Sequence, residues 1–206
     1  MKIYRYIVGS LGTNCYLVTD GKCPDALLID PGADAEKILS SAGAKGITIK
    51  KVLLTHGHFD HIMGVNDVIS ATGAKLLVHQ SDVNMIYDPS LNVSGQYREP
   101  YTVSFPVSRE LSDGDTVAFG GEKIRVIHTP GHTPGSVCLV CGDTIFTGDT
   151  VFRGSVGRYD FPGGDYNELM RSVEKLNRLE GDYRLLPGHD SPTTLSHERE
   201  TSIYFN

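Results

Sequence analysis

Three histidines and an aspartate fall in the run Thr55-His56-Gly57-His58-Phe59-Asp60-His61. Imidazole nitrogens need partners when buried, so a cluster of three is costly unless something binds them. A metal ion meets that need, and imidazole with carboxylate suits zinc, iron or manganese. The spacing suits two ions rather than one. His56 and His58 are two residues apart, so an extended backbone brings both to one ion. Asp60 and His61 follow where the chain turns toward a helix, within reach of a neighbouring ion. Neither pair completes a coordination shell, so distant residues must.

Three distant residues offer themselves, each in a sharp Gly- or Pro-containing turn. His132 lies in Thr129-Pro130-Gly131-His132-Thr133-Pro134-Gly135, Asp149 in Phe146-Thr147-Gly148-Asp149-Thr150, and His189 in Leu186-Pro187-Gly188-His189-Asp190. Each turn follows an apolar strand and delivers one polar side chain at a strand end, where loops gather. With Asp149 shared, five histidines and two aspartates give two ions an inner shell that leaves positions open. Two ions ~3.5–4 Å apart ionise a bridging water near neutral pH and polarise a carbonyl together. Two divalent cations against Asp60, Asp149 and one hydroxide leave a residual positive charge, which suits an anionic substrate. A closed, four-ligand structural zinc site, which uses cysteine freely, fits less well than seven ligands. His79, His128 and His197 lack such company and are read as structural.

The elements that must position these residues follow from hydropathy patterning. Strands are expected over 1–9, 14–19, 26–30, 51–55, 75–79, 116–119, 123–128, 136–141, 144–147 and 184–186. Helices are expected over 33–42, 61–72, 165–179 and 196–205, the third with Leu169, Val173, Leu176 and Leu179 on one stripe. Strands followed by helices in each half fit a four-layer αββα sandwich, with residues 1–206 as a single domain. Residues 81–106 are broken by Asp88-Pro89, Asn92, Gly95 and Pro100. A loop of this length in a compact domain is often functional, here as part of a pocket wall.

Composition narrows the function further. The chain has 206 residues, 39% of them hydrophobic, and a net charge of −6, which supports a packed core and argues against a nucleic-acid surface. No apolar run approaches a membrane span. The first residues alternate like a strand and lack a signal peptide's apolar block, so a cytoplasmic protein is expected rather than an exported β-lactamase. Cys138 and Cys141 are three apart along one strand, which turns them to opposite faces and argues against a shared metal or disulfide.

Taken together, these residues resemble the metallo-β-lactamase superfamily and, within it, the short glyoxalase II-like (hydroxyacylglutathione hydrolase-like) enzymes. The resemblance also takes in Gly12-Thr13-Asn14-Cys15-Tyr16-Leu17 and Leu28-Ile29-Asp30-Pro31-Gly32. It implies a metallo-β-lactamase fold with two divalent metal ions, zinc first among the candidates. It implies that His56, His58 and His132 hold one ion, Asp60, His61 and His189 the other, and that Asp149 bridges. The implied reaction is cleavage of a small, anionic hydroxyacyl thioester such as S-lactoylglutathione by metal-bound hydroxide, oriented by Asp60. The Gly157-Arg158-Tyr159-Asp160-Phe161 segment is similar both to stand-alone glyoxalase II-like enzymes and to iron-dependent persulfide dioxygenases. Persulfide oxidation, or hydrolysis of a lactone or other ester, is therefore the alternative. Arg158 is expected to form an internal ion pair with Asp160 beside the site, or to contact substrate.

Overall fold

The computed structural model describes residues 1–97 and 99–205. The first half runs β1 (Lys2–Val8), β2 (Thr13–Thr19), β3 (Asp25–Ile29), α1 (Ala35–Ala44), β4 (Thr48–Leu53), α2 (Phe59–Ile62), α3 (Val65–Thr72), β5 (Lys75–His79) and β6 (Arg109–Leu111). The second runs β7 (Thr116–Phe119), β8 (Glu122–His128), β9 (Val137–Cys141), β10 (Thr144–Gly148), β11 (Val151–Phe152), β12 (Ser155–Val156), α4 (Tyr166–Asn177), β13 (Arg184–Pro187), β14 (Thr193–Thr194) and α5 (Leu195–Thr201). The strands form two six-stranded sheets, ordered β1-β2-β3-β4-β5-β6 and β14-β13-β10-β9-β8-β7, with β11 and β12 as a separate hairpin.

Side-chain alternation along the strands generates the layers. In β2 and β3, Tyr16, Val18, Leu27 and Ile29 face inward and meet Val126, Leu139, Phe146 and Leu186 of the second sheet. Their neighbours Leu17 and Leu28 face outward, against Ile38 of α1 and Val65 and Val68 of α3. On the far side, Ile127, Val140, Ile145 and Leu185 pack under Val173 and Leu176 of α4 and Leu195 of α5. This is the expected αββα sandwich. Cys138 and Cys141 do face opposite ways, the first toward α4 and the second between the sheets. Among the described residues, no helix is long and apolar enough to cross a membrane.

Two helices differ from the sequence-based expectation. The helix expected over 61–72 is broken after Ile62. There the Gly64 N–H donates to the Pro31 carbonyl at 2.7 Å, and a Cβ on Gly64 would lie 2.7 Å from that same oxygen. The last helix stops at Thr201, with Ser202 extended. Residues 81–106 form the irregular segment that their broken pattern indicates, with short 3-10 turns at Gln80–Asp82, Met85–Tyr87 and Ser94–Gln96.

Candidate metal centre

The strand ends converge where the expected ligands lie. His56 and His58 follow β4, His132 follows β8, Asp149 follows β10 and His189 follows β13. Backbone bonds tie these loops together across the sheets. The Thr55 carbonyl accepts from the Val137 N–H at 2.9 Å, and the Gly188 N–H donates to the Gly148 carbonyl at 2.8 Å. His56, His58, His61 and His132 are buried, and Asp60, Asp149 and His189 are partly so.

All seven residues come together. Donor atoms of His56, His58 and His132 lie within 4.8 Å of one another, as do those of Asp60, His61 and His189 and those of His56, His61 and Asp149. His58 Nδ1 is 2.9 Å from His132 Nε2, and His61 Nε2 is 3.3 Å from His189 Nε2. Asp60 Oδ2 is 3.1 Å from His189 Nε2 and 3.6 Å from His61 Nε2. Asp149 reaches both groups: its Oδ2 is 3.7 Å from His132 Nε2 and 3.5 Å from His189 Nε2, while Oδ1 is 3.4 Å from His61 Nε2.

Partners outside the cluster decide which nitrogen points in. Thr55 Oγ1 lies 3.1 Å from His56 Nδ1, and the Asp30 carboxylate lies 3.0 Å from His61 Nδ1. The Arg158 carbonyl takes His132 Nδ1 at 2.6 Å, and the Leu11 carbonyl takes His189 Nδ1 at 3.2 Å. An imidazole whose Nδ1 is engaged this way offers Nε2 as a ligand atom. His58 is reversed, with Nδ1 inward and its ring edge-on to Phe161 at a centroid distance of 5.4 Å.

Electrostatics shows what the cluster asks for. Burial, then the neighbouring imidazoles, push His56 well down, and burial with His132 brings His58 to about 3. For Asp60 and Asp149 burial raises the pKa, but His61 and His189 outweigh it and hold both carboxyls below their ordinary value. Burial lowers His61 and His189 as well, yet the same two carboxylates leave both raised. Among the described residues, three buried side-chain atoms lack a hydrogen-bond partner: His56 Nε2, His58 Nε2 and Asp149 Oδ1. Orphaned atoms of this kind within a ring of imidazoles and carboxylates fit a pair of divalent cations.

Residues 8–189 match the family described as the metallo-beta-lactamase superfamily. The chain belongs to the metallo-β-lactamase superfamily. It is 34% identical over 210 residues to the probable metallo-hydrolase YqgX of Bacillus subtilis, covering 100% of this chain and 98% of the relative. It is 30% identical over 210 residues to the hydroxyacylglutathione hydrolase GloC of Haemophilus influenzae, covering 100% and 99%. Among solved structures, the BLEG-1 B3 metallo-beta-lactamase superposes with a TM-score of 0.94 at 31% identity, covering both chains fully. TTHA1623, in a di-iron-bound form, superposes at 0.88 with 36% identity, covering 98% of this chain and 99% of the other.

Like other superfamily members, this chain has the site of a metallo-hydrolase. Over its His/Asp floor stands a cavity of about 330 Å³, walled by Leu11, Phe59, Val93, Tyr97, Phe152 and Phe161. Val93 and Tyr97 come from the 81–106 segment. Arg158 also lines the cavity, its guanidinium 4.0 Å above the Phe161 ring. The expected pairing with Asp160 is present, with Arg158 Nε at 2.9 Å and Nη2 at 2.8 Å from the two carboxylate oxygens. It is not internal: the two side chains are 62% and 60% exposed, because the loop carries them onto the cavity rim.

Sequence reasoning gave no role to Asp30, Thr13 or Asp82. Asp30 accepts from the Thr55 N–H at 2.7 Å and the Thr55 hydroxyl at 2.6 Å, besides holding His61. Thr13 donates to Asp60 Oδ2 at 3.1 Å. The available signal was a polar residue directly after a buried strand, as for Asp30 after β3. His79 and His128 lie apart from the cluster and stack on each other at 4.0 Å.

Proposed function

We propose that the protein hydrolyses a small, anionic hydroxyacyl thioester such as S-lactoylglutathione at a pair of divalent ions, zinc first, with iron and manganese also suited to the donor set. His56, His58 and His132 would hold one ion and Asp60, His61 and His189 the other, with Asp149 between them. The observation that carries the reading is the apolar cavity standing directly on this donor cluster with the cationic Arg158 at its rim. The full-length similarity to a hydroxyacylglutathione hydrolase supports the same substrate class.

Bound there, two divalent ions would supply Lewis acidity toward a carbonyl and would lower the pKa of a bound water. The chain's own groups do the rest. Asp60, fixed by the Thr13 hydroxyl, faces the cavity and orients the attacking water through its carboxylate. Phe59 and Tyr97, in ring contact at 4.5 Å, and Phe161 exclude bulk water from the thioester. Arg158 takes the anionic end of the thiol portion, held at the rim by Asp160 and Phe161. A thiolate leaves unprotonated, so no general acid is required of the protein.

The test is thiol release from S-lactoylglutathione by zinc-, manganese- and iron-loaded protein. Turnover that disappears in Asp149→Ala supports the reading. Inactivity across a thioester panel, with oxygen uptake on glutathione persulfide or opening of a lactone or β-lactam, overturns it.

A further inference from the structure

Asp82 belongs neither to the donor cluster nor to the chemistry just described. It ends the 3-10 turn after β5 and is fully buried. Its Oδ2 accepts from the Gly57 N–H at 2.9 Å and from the Thr133 hydroxyl at 2.7 Å, and its Oδ1 accepts from the Gly135 N–H at 2.6 Å. Gly57 stands between His56 and His58, and Thr133 follows His132 directly. One carboxylate therefore ties together the two loops that present His56, His58 and His132. All three of these partners donate to it, and together they oppose, without cancelling, the rise that burial imposes on its pKa. The fit leaves no slack: a Cβ on Gly135 would lie 2.6 Å from Asp82 Cγ, and one on Gly57 would lie 2.8 Å from Met85 Cγ.

A second contact joins the turn that carries Asp82 to the His132 loop. His79 Nδ1 accepts from the Ser81 N–H at 3.3 Å, within the turn that carries Asp82. Its ring stacks on His128, whose Nε2 donates to the Pro134 carbonyl at 2.8 Å, within the His132 turn. The other donor set is supported separately: Thr13 serves Asp60, and the Leu11 carbonyl serves His189.

We infer that Asp82 is a positioning residue for one metal only, fixing the register of His58 against His132 while leaving the Asp60–His61–His189 set unaffected. The inference rests on the two-ion reading but not on the thioester. In Asp82→Asn the side-chain NH2 can no longer accept from a backbone N–H, so the two loops separate.

The experiment is calorimetric zinc titration of metal-free protein, carried out with Asp82→Asn in two backgrounds. With Asp60→Ala, which leaves the His56–His58–His132 set, Asp82→Asn is expected to weaken zinc about 10–100-fold. With His132→Ala, which leaves the other set, the change is expected to stay within about threefold. Thr13→Val is the reciprocal control, weakening zinc only in the His132→Ala background. Equal weakening in both backgrounds, as general destabilisation would give, overturns the inference, and so does no weakening in either. If Asp82→Asn does not fold, Thr133→Val removes one of the three bonds and is judged by the same selectivity. Wild-type protein binding a single ion overturns the two-ion reading, and Asp82 is then judged on that ion with and without His132. Absence of thioester turnover overturns the proposed substrate and leaves these zinc measurements standing.

Discussion

Adding one methyl group at Gly188 tests how closely the centre is packed. A Cβ there would lie 2.1 Å from Asp149 Oδ1 and 2.7 Å from His61 Cε1, where ordinary contact begins at 3.4 Å. Relief takes about 1 Å of movement by Asp149 or by the loop carrying His189, and misplacement of that size costs on the order of 100-fold in rate. Overpacking of a filled interior costs about 1–3 kcal/mol, or roughly 2–12 °C in melting temperature for a chain of this length. Gly188 has no left-handed backbone angle, so the effect is steric alone. Gly43→Ala is the matched control. It adds the same methyl in α1, nothing lies within 4 Å of it, and helix propensity stabilises it by up to about 1 kcal/mol. The assays are metal content after dialysis, melting temperature with and without zinc, and turnover. Gly188→Ala is expected to lose metal and at least tenfold in rate, while Gly43→Ala keeps both and melts higher. Full metal content and turnover within twofold of wild type in Gly188→Ala would show the opposite, because Asp149 would then tolerate the displacement that the packing around Gly188 demands.

Arg158→Ala is expected to raise KM about tenfold for an anionic thioester with kcat within threefold, and a neutral thioester should not respond; initial-rate kinetics on both substrates checks this. Zinc binding should release more protons as pH falls, because carboxylates raise His61 and His189 above the ordinary imidazole value and a ligating nitrogen must be free of its proton. Calorimetry in buffers of different ionisation heat measures that release, and a release that does not grow from pH 7 to pH 6 would contradict the raised imidazoles. His79 is depressed from 6.5 to about 4 by burial and the stacked His128. A histidine lowered on folding contributes stability that is present above its unfolded pKa and lost as pH falls through the folded one. Metal-free protein should therefore lose stability between about pH 6.5 and 4, and His79→Gln should flatten that slope in denaturant titrations.

What sequence could show depended on the range of the interaction. His56 to His61 declare themselves because four donor side chains within six residues have no other economical arrangement. His132, Asp149 and His189 are visible because each is a metal-ligating type directly after a glycine, in a turn that follows an apolar strand. The layers are visible for the same reason: Tyr16, Leu17 and Val18 already alternate between two interiors. Asp82 sits among residues whose pattern is broken, and its partners lie 25 to 53 positions away. Nothing local distinguishes it from a surface aspartate. The break after Ile62 is hidden likewise, since it depends on Gly64 meeting the Pro31 carbonyl. The hairpin of β11 and β12 and the strand β14 are two residues each, too short for any period to register.

The distribution of supports separates the chemistry of the centre from its choice of substrate. Four imidazoles have one nitrogen committed to Thr55, Asp30, the Arg158 carbonyl or the Leu11 carbonyl, and those partners lie in different loops. The tautomers and ring orientations are therefore set by the fold before any ion arrives, and a metal meets a floor that needs little rearrangement. Such a floor serves thioester hydrolysis and iron chemistry alike, since both ask for nitrogen and carboxylate donors with open positions. Selectivity then falls to the walls, where Tyr97 and Arg158 are both substantially exposed and reach the cavity from the 81–106 segment and the loop after β12. Changes to the floor should act on metal occupancy and kcat together, whereas changes to the walls should act on KM and on the ratio between substrates. A wall variant that altered metal content, or a floor variant that exchanged one substrate for another at full occupancy, would show that this division of labour does not hold.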